Sequence, residues 1–287
     1  MVDRSIWRIG AAELRFPPSL AVGIVNVTTD SFFSGARSGT PEQALEDGLA
    51  LVDQGFDLLD VGALAARSGP ALEPAEEAAR LVPAIERLAA SAGVPITADT
   101  FSVEVARAAL EAGAVAINDI GGAQTEMLEL VAQSGCGYIL MHIEGPPRVD
   151  RPAPVYEDPV DHIRAWFRER IDAALALGVS EDQIALDPGL DFDLTVDDDL
   201  EILRRLGELR SLGRPLFLAL SRKDFLGAVL AGSWEARVEP ERREAASLAA
   251  TALAVADGAE LLRIHDRSAL DALRVAERIA RPVAADV

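Results

Sequence analysis

The sequence predicts an α/β fold: a (β/α)8 TIM barrel forming a single domain over 1–287, with a short N-terminal hairpin. Three observations lead there. Eight short apolar runs, bounded by Gly, Pro, Asp or Asn, alternate with longer amphipathic stretches, the pattern of a parallel sheet with crossover helices. Eight such units over about 260 residues suit a closed barrel of this type. The turn after the first strand reads NVTTDSFFSG, without the Gly-x-Gly-x-x-Gly that usually marks an open, doubly wound dinucleotide-binding sheet.

Taken in order, residues 5–16 (IWRI, Gly, ELRF) predict a hairpin that closes the bottom of the barrel. Strands are expected at 20–27, 57–62, 94–99, 114–119, 136–142, 183–189, 215–220 and 259–265. Each is too short for an ordinary helix, and many are β-branched, as strands buried on both faces are. Helices are expected at 40–54, 74–91, 102–112, 124–134, 158–177, 197–211, 239–257 and 266–280. Thr40-Pro41 reads as N-cap and first helical residue, Ser102 as a second cap, and Gly55, Gly113, Gly135 and Gly178 as helix stops. Residues 144–157 are Pro-rich with mixed charge and read as a long loop after the fifth strand.

With 49% hydrophobic residues, the chain has material for a real core, which excludes disorder. A net charge of −20 argues against nonspecific nucleic-acid binding and against docking on anionic membranes. A bound anion must therefore be held by a local cationic cluster. One cysteine, Cys136, excludes a disulfide framework and suits a reducing compartment. The opening residues show no signal-peptide pattern and no apolar run is long enough to span a bilayer, so a cytoplasmic protein is expected. Lys223 is the only lysine among 27 basic residues, which singles it out.

In a barrel of this kind the active site lies at the C-terminal strand ends. Those ends carry Asn26, Asp60, Asp99, Asn118 with Asp119, His142, Asp187, Ser221-Arg222-Lys223, and Arg263 with His265. Asp99, Asn118 and Asp187 come from three strands and could surround one flat amino-heterocycle, the carboxylates accepting from its N–H edge. Lys223 could offset two carboxylates. Arg67, Arg263 and His265 form a candidate cluster for phosphate, which suits the fork geometry of arginine. Asn26 lies where it could reach the same anion or a metal bound to it. Other residues read as structural: Cys136, Met127 and Phe225 as core or packing, His142 as structural, His162 as solvated, and the acidic run 196–201 as a helix N-terminus complementing the dipole.

At these residues the chain resembles the dihydropteroate synthase family. GIVNVTTDSF (23–32), DVGALAARSG (60–69), ADTFSVEVARAALEAGAVAINDIGG (98–122), LMH (140–142), LDPGLDF (186–192), SRKDFLG (221–227) and RIHD (263–266) follow the family's motif order. The resemblance implies a (β/α)8 barrel, usually a homodimer, with no nucleic-acid or membrane partner. It would join 6-hydroxymethyl-7,8-dihydropterin pyrophosphate to p-aminobenzoate with Mg²⁺, giving dihydropteroate and pyrophosphate. By that resemblance Asp99, Asn118, Asp187 and Lys223 hold the pterin, between apolar walls of Ile120, Met141 and Phe192. Asn26, Arg67, Arg263 and His265 bind pyrophosphate and metal, with Asn26 the metal ligand. Ser221 and the turn into the helix after Lys223 face the p-aminobenzoate carboxylate, since a helix N-terminus favours an anion.

The departures are local. The family's second loop carries Gly-Glu-Ser-Thr where this chain has Ala63-Leu64-Ala65-Ala66, and an Asp of the first loop is Ser34. After the sixth strand, small-Phe-Gly-Lys becomes Asp191-Phe192-Asp193-Leu194. Two alternatives stand beside the synthase: a non-catalytic pterin-binding paralogue, and a methyltransferase moving a methyl group between a folate and a corrinoid carrier. The latter would not need the RIHD and SRK motifs.

Overall fold

The computed structural model describes residues 5–27, 39–64, 72–149 and 151–280. The expected N-terminal hairpin is present: β1 (Ile6–Ile9) pairs antiparallel with β2 (Ala12–Arg15). Eight parallel strands follow: β3 (Leu20–Asn26), β4 (Leu58–Gly62), β5 (Ile96–Asp99), β6 (Ala116–Asp119), β7 (Gly137–Met141), β8 (Ile184–Asp187), β9 (Phe217–Ala219) and β10 (Leu261–Ile264). Their order is β8-β7-β6-β5-β4-β3-β10-β9, and a parallel bridge between Leu186 and Leu216 joins β8 to β9 and closes the ring.

Several of the helices between them begin or end where a side chain or a left-handed residue satisfies terminal amides or carbonyls. α1 (Pro41–Gln54) is capped by the Thr40 side chain, which accepts from the Gln43 amide, and stops at Gly55, whose φ of 99° is left-handed. α2 (Pro74–Ser91), α3 (Val103–Glu111) and α4 (Thr125–Ser134) follow; Ser102 caps α3 as the sequence predicts. α5 (Pro159–Ala176) is capped by Asp158, which accepts from Val160 and Asp161.

Two helical expectations need correction. The stretch 197–211 is not one helix but α6 (Val196–Arg204), α7 (Leu206–Leu209) and a tight turn over Arg210–Leu212. The break falls at Arg205 (φ −115°, ψ 20°), whose guanidinium binds Asp158 and Glu208, and it leaves Leu206 and Leu209 both fully buried. The stretch 239–257 opens as a separate turn before Arg243, and only then runs as α9 (Glu244–Ala256). The short α8 (Asp224–Ala231) follows Lys223, and α10 (Arg267–Ala280) ends the described chain.

Strand residues alternate between two cores, as a period of two requires. Ala21, Leu59, Ile117, Leu140, Leu186 and Leu262 face the helices in one large cluster. Their neighbours Val22, Leu58, Ala116, Ile139, Ala185, Phe217 and Leu261 face the barrel axis and pack on Trp7, Ile9 and Phe16 of the hairpin segment. The Trp7 indole N–H donates to the Gln183 carbonyl at 2.7 Å, so the hairpin is tied into the barrel floor by both packing and a hydrogen bond. Among the described residues no helix is long and apolar enough to cross a membrane.

Candidate active site

Two residues further along the same inward face, the apolar floor gives way to polar side chains. Leu58 is followed by Asp60, Ala116 by Asn118, Ala185 by Asp187 and Leu261 by Arg263. The parallel register places Asp60 beside Thr97, Asp99 beside Asn118, and Met141 beside Asp187.

The centre of this layer is Asp60, which is fully buried. Its carboxylate accepts from the Thr97 hydroxyl at 2.5 Å, the Asn118 amide at 3.0 Å and the Arg263 Nε at 2.5 Å. Arg263 also donates from Nη2 to Asp99 at 3.0 Å. One guanidinium thus joins two carboxylates from neighbouring strands, charge-assisted contacts of the strong kind. Asp60 stood among the polar strand ends, yet its role as the hub was not expected. The period-two signal carried it: Asp60 follows Leu58 on a strand whose other face is wholly apolar.

Burial, with Asp60 beside it, holds the Asp99 carboxyl well above its ordinary acidity range, although Arg263 opposes this. Asp187 is pushed up to about 6, chiefly by burial, while the Gly189 N–H and Lys223 pull it back. Gly189 is required here: its φ is +73°, and a Cβ would lie 2.1 Å from the His142 carbonyl. Burial and the cations Arg263 and Arg222 push His265 down to about 3, so its imidazole is neutral at pH 7.

Above the polar layer, Ile120, Met141, Ile143 and Phe192 form a separate apolar cluster with Phe101 against it. The three expected walls are therefore brought together, joined by Ile143 and Phe101, which sequence reasoning missed. Lys223 Nζ donates to the Leu190 carbonyl at 3.0 Å and sits 4.6 Å from the Phe192 ring centroid. Beside Ile143 and Phe192 opens a cavity of about 600 Å³, also lined by Arg148, Arg151, Leu194 and Trp234.

The N-terminus of α8 differs from expectation. Its first amides, of Asp224 and Phe225, donate at 2.6 and 2.9 Å to the Asp191 carboxylate. An internal carboxylate already takes the anion-favouring position. The turn after Lys223 therefore does not present those two amides to a ligand, although Ser221 stands at its start. Arg243 fixes the same turn, donating to the Arg222 carbonyl at 2.9 Å and to Asp224 at 2.6 Å. Asn26 and His265 lie at the ends of adjacent strands, β3 and β10. Arg67 and Ser34 lie outside the described residues.

His142 is buried, as a structural residue should be, but His162 is not simply solvated: its Nε2 meets Glu144 at 2.5 Å.

Residues 22–265 match the family model described as pterin binding enzyme. Among curated relatives, the dihydropteroate synthase of Mycobacterium leprae is 40% identical over 264 residues, covering 90% of this chain and 92% of that one. The Escherichia coli dihydropteroate synthase is 33% identical, covering 89% and 90%. Among solved structures, the Xanthomonas albilineans dihydropteroate synthase with 4-aminobenzoic acid aligns with a TM-score of 0.86 at 38% identity, covering 98% of this chain and 100% of that one. The same protein in complex with 7,8-dihydropteroate aligns at 0.84, again 38% identical, covering 97% and 100%. With a polar ring of the expected composition on a barrel of the expected topology, and relatives of this identity over nearly its whole length, the chain belongs to the dihydropteroate synthase family of pterin binding enzymes.

Proposed function

We propose that this protein is a dihydropteroate synthase of folate biosynthesis, a cytoplasmic transferase acting on 6-hydroxymethyl-7,8-dihydropterin pyrophosphate and p-aminobenzoate. The observation that carries the reading is the layered mouth. Asp99, Asn118 and Asp187 lie on the barrel axis beneath an apolar wall, with Lys223 over Phe192 and Arg263 spanning two carboxylates. In the reaction the arylamine nitrogen bonds to the pterin methylene carbon as the C–O bond to pyrophosphate breaks, and the amine loses one proton. Asp187 and Asn118 orient the pterin by its amino-pyrimidine edge, and Ile120, Met141 and Phe192 exclude water from its faces. Arg263, His265 and Arg67 meet the charge that builds on the leaving group, the point at which such contacts accelerate a reaction. Neutral His265 has one ring N–H to donate to the departing pyrophosphate.

The Asn26 amide oxygen is a hard donor at the mouth of the barrel. That fits Mg²⁺, which is commonly held by few protein ligands together with substrate phosphates; when bound there, the ion would neutralise the departing pyrophosphate. Leu253 of α9 and Val275 and Ile279 of α10 are exposed apolar residues on two packed helices. They support a homodimer through this face.

The test is direct. Purified protein with both substrates and Mg²⁺ should form dihydropteroate and release pyrophosphate in equal amounts. Tight pterin binding without product would instead favour the non-catalytic paralogue.

A further inference from the structure

Away from the pterin ring, three segments bring metal-binding side chains together. His142 follows β7, Glu144 begins the loop after it, and His162 lies in the first turns of α5. Glu144 Oε1 is 3.3 Å from His142 Nε2 and 2.5 Å from His162 Nε2, and the ligand-type atoms of all three lie within 4.8 Å of one another. The His142 side chain is fully buried, while Glu144 is 25% and His162 39% exposed. The cluster therefore has a closed inner wall and an open flank. On that flank is a concavity lined by Val155, Tyr156, Glu157, Asp158, Asp161 and His162. Two of its carboxylates are paired, Asp158 with Arg205 and Asp161 with Arg164, and the lining itself holds no lysine or arginine.

We infer that His142, Glu144 and His162 form a site for one divalent first-row transition-metal ion of the zinc type. Two imidazoles and one carboxylate are a donor set zinc uses when it keeps a fourth position open. A tetrahedral ion with bonds of about 2.0–2.1 Å holds its ligand atoms about 3.3 Å apart. The His142–Glu144 pair already has that separation, the Glu144–His162 pair at 2.5 Å has to open by about 0.8 Å, and all three ligand atoms already lie within 4.8 Å of one another. Two outer contacts flank the set, while among the described residues His142 Nδ1, the ring nitrogen turned away from Glu144, is buried without a hydrogen-bond partner. The Trp166 ring stands edge-on to His142 at 5.1 Å, and the Tyr156 hydroxyl donates to Glu144 Oε1 at 3.3 Å. The site is distinct from any ion held with pyrophosphate, because β7 lies four strands round the barrel from β3, which carries Asn26. The ion would tie the loop after β7 to α5. Ile143, between two of the ligands, belongs to the apolar wall of the pterin site, so occupancy would fix that wall.

The experiment is titration of the metal-stripped full chain with Co²⁺, read by visible absorption, then displacement by Zn²⁺. One equivalent per chain with the intense bands of a four-coordinate ion is expected. Loss of an outer-shell partner alone typically weakens a metal about 10–100-fold, and His162 and Glu144 are direct ligands, so His162→Ala and Glu144→Gln should each weaken binding by at least tenfold. Asn26→Ala should leave it unchanged. Zn²⁺ should raise the melting temperature of the parent chain and not that of His162→Ala. Binding only at millimolar metal, or stoichiometric binding that survives His162→Ala, would overturn the assignment and leave Glu144 as a hydrogen-bond bridge alone.

Discussion

The Asp187 carboxyl, raised by burial to about 6, ionises in the folded chain at a higher pH than it would in an unfolded one. Its contribution to stability is therefore fully present below the ordinary carboxylate value and is lost as pH rises through about 6. A pterin edge that donates N–H groups to the ionised form offsets this. Pterin affinity should accordingly increase as pH is raised through about 6 and level off above it, as calorimetric titration at several pH values would show. Asp187→Asn should remove the inflection, and Asp187→Ala should weaken binding by about 1–3 kcal/mol. Unchanged affinity in the alanine variant would remove Asp187 from the site. Arg263 poses a different problem. It neutralises Asp60 and Asp99 together, and leaving buried charges without their partner costs about 3–5 kcal/mol. Arg263→Ala should lower the melting temperature by well over the shift produced by Asp187→Ala; equal shifts would mean that the two carboxylates find other partners. Both residues were legible as polar strand ends. That Arg263 turns inward to two carboxylates was not, because the sequence places it near phosphate-binding partners and says nothing of which neighbour its five donors choose.

At the scale of elements, Asp191 reaches across from the loop after β8 to cap α8. It does so with a φ of 73°, a conformation costly for a residue with a Cβ. Asp191→Gly relieves that conformation and vacates two helix amides. The variant should bind the p-aminobenzoate carboxylate more tightly, seen as a lower KM for that substrate with little change for the pterin. An unchanged or higher KM would show that the acceptor carboxylate is held elsewhere. The eight strands and most helices could be read from apolar period and from caps such as Thr40 and Ser102. The breaks at Arg205 and Arg243 could not, since each involves a guanidinium with one partner distant in sequence: Asp158 for one, Arg222 for the other. Asp191 belongs with them. Its departure from the family pattern was visible, but the cap it forms spans 33 and 34 residues.

Over the whole molecule, a net charge of −20 surrounds a site that must admit a pyrophosphate. Screening such a field weakens repulsion over distances beyond the Debye length, about 10 Å at 0.1 M salt. The KM for the pterin pyrophosphate should therefore fall as ionic strength is raised from low values, whereas that for an uncharged pterin analogue should not move; parallel behaviour of the two would assign the effect to the pocket instead. The barrel was foreseeable from the repeat of eight units, and the hairpin floor from its two short apolar runs. How the ring closes was not, since a single bridge between Leu186 and Leu216 does it. That seam has a kinetic meaning. Every other pair of neighbouring strands shares several rungs, so thermal opening should begin here, at the low-stability end of the fold. The Leu186 amide, bonded to Pro215 across the seam, should exchange with deuterium sooner than the Leu59 or Ile117 amides. Because Asp187 stands on one lip and Lys223 follows the other, a bound pterin that touches both would act as a clasp, and its arrival should slow that exchange more than any other in the barrel.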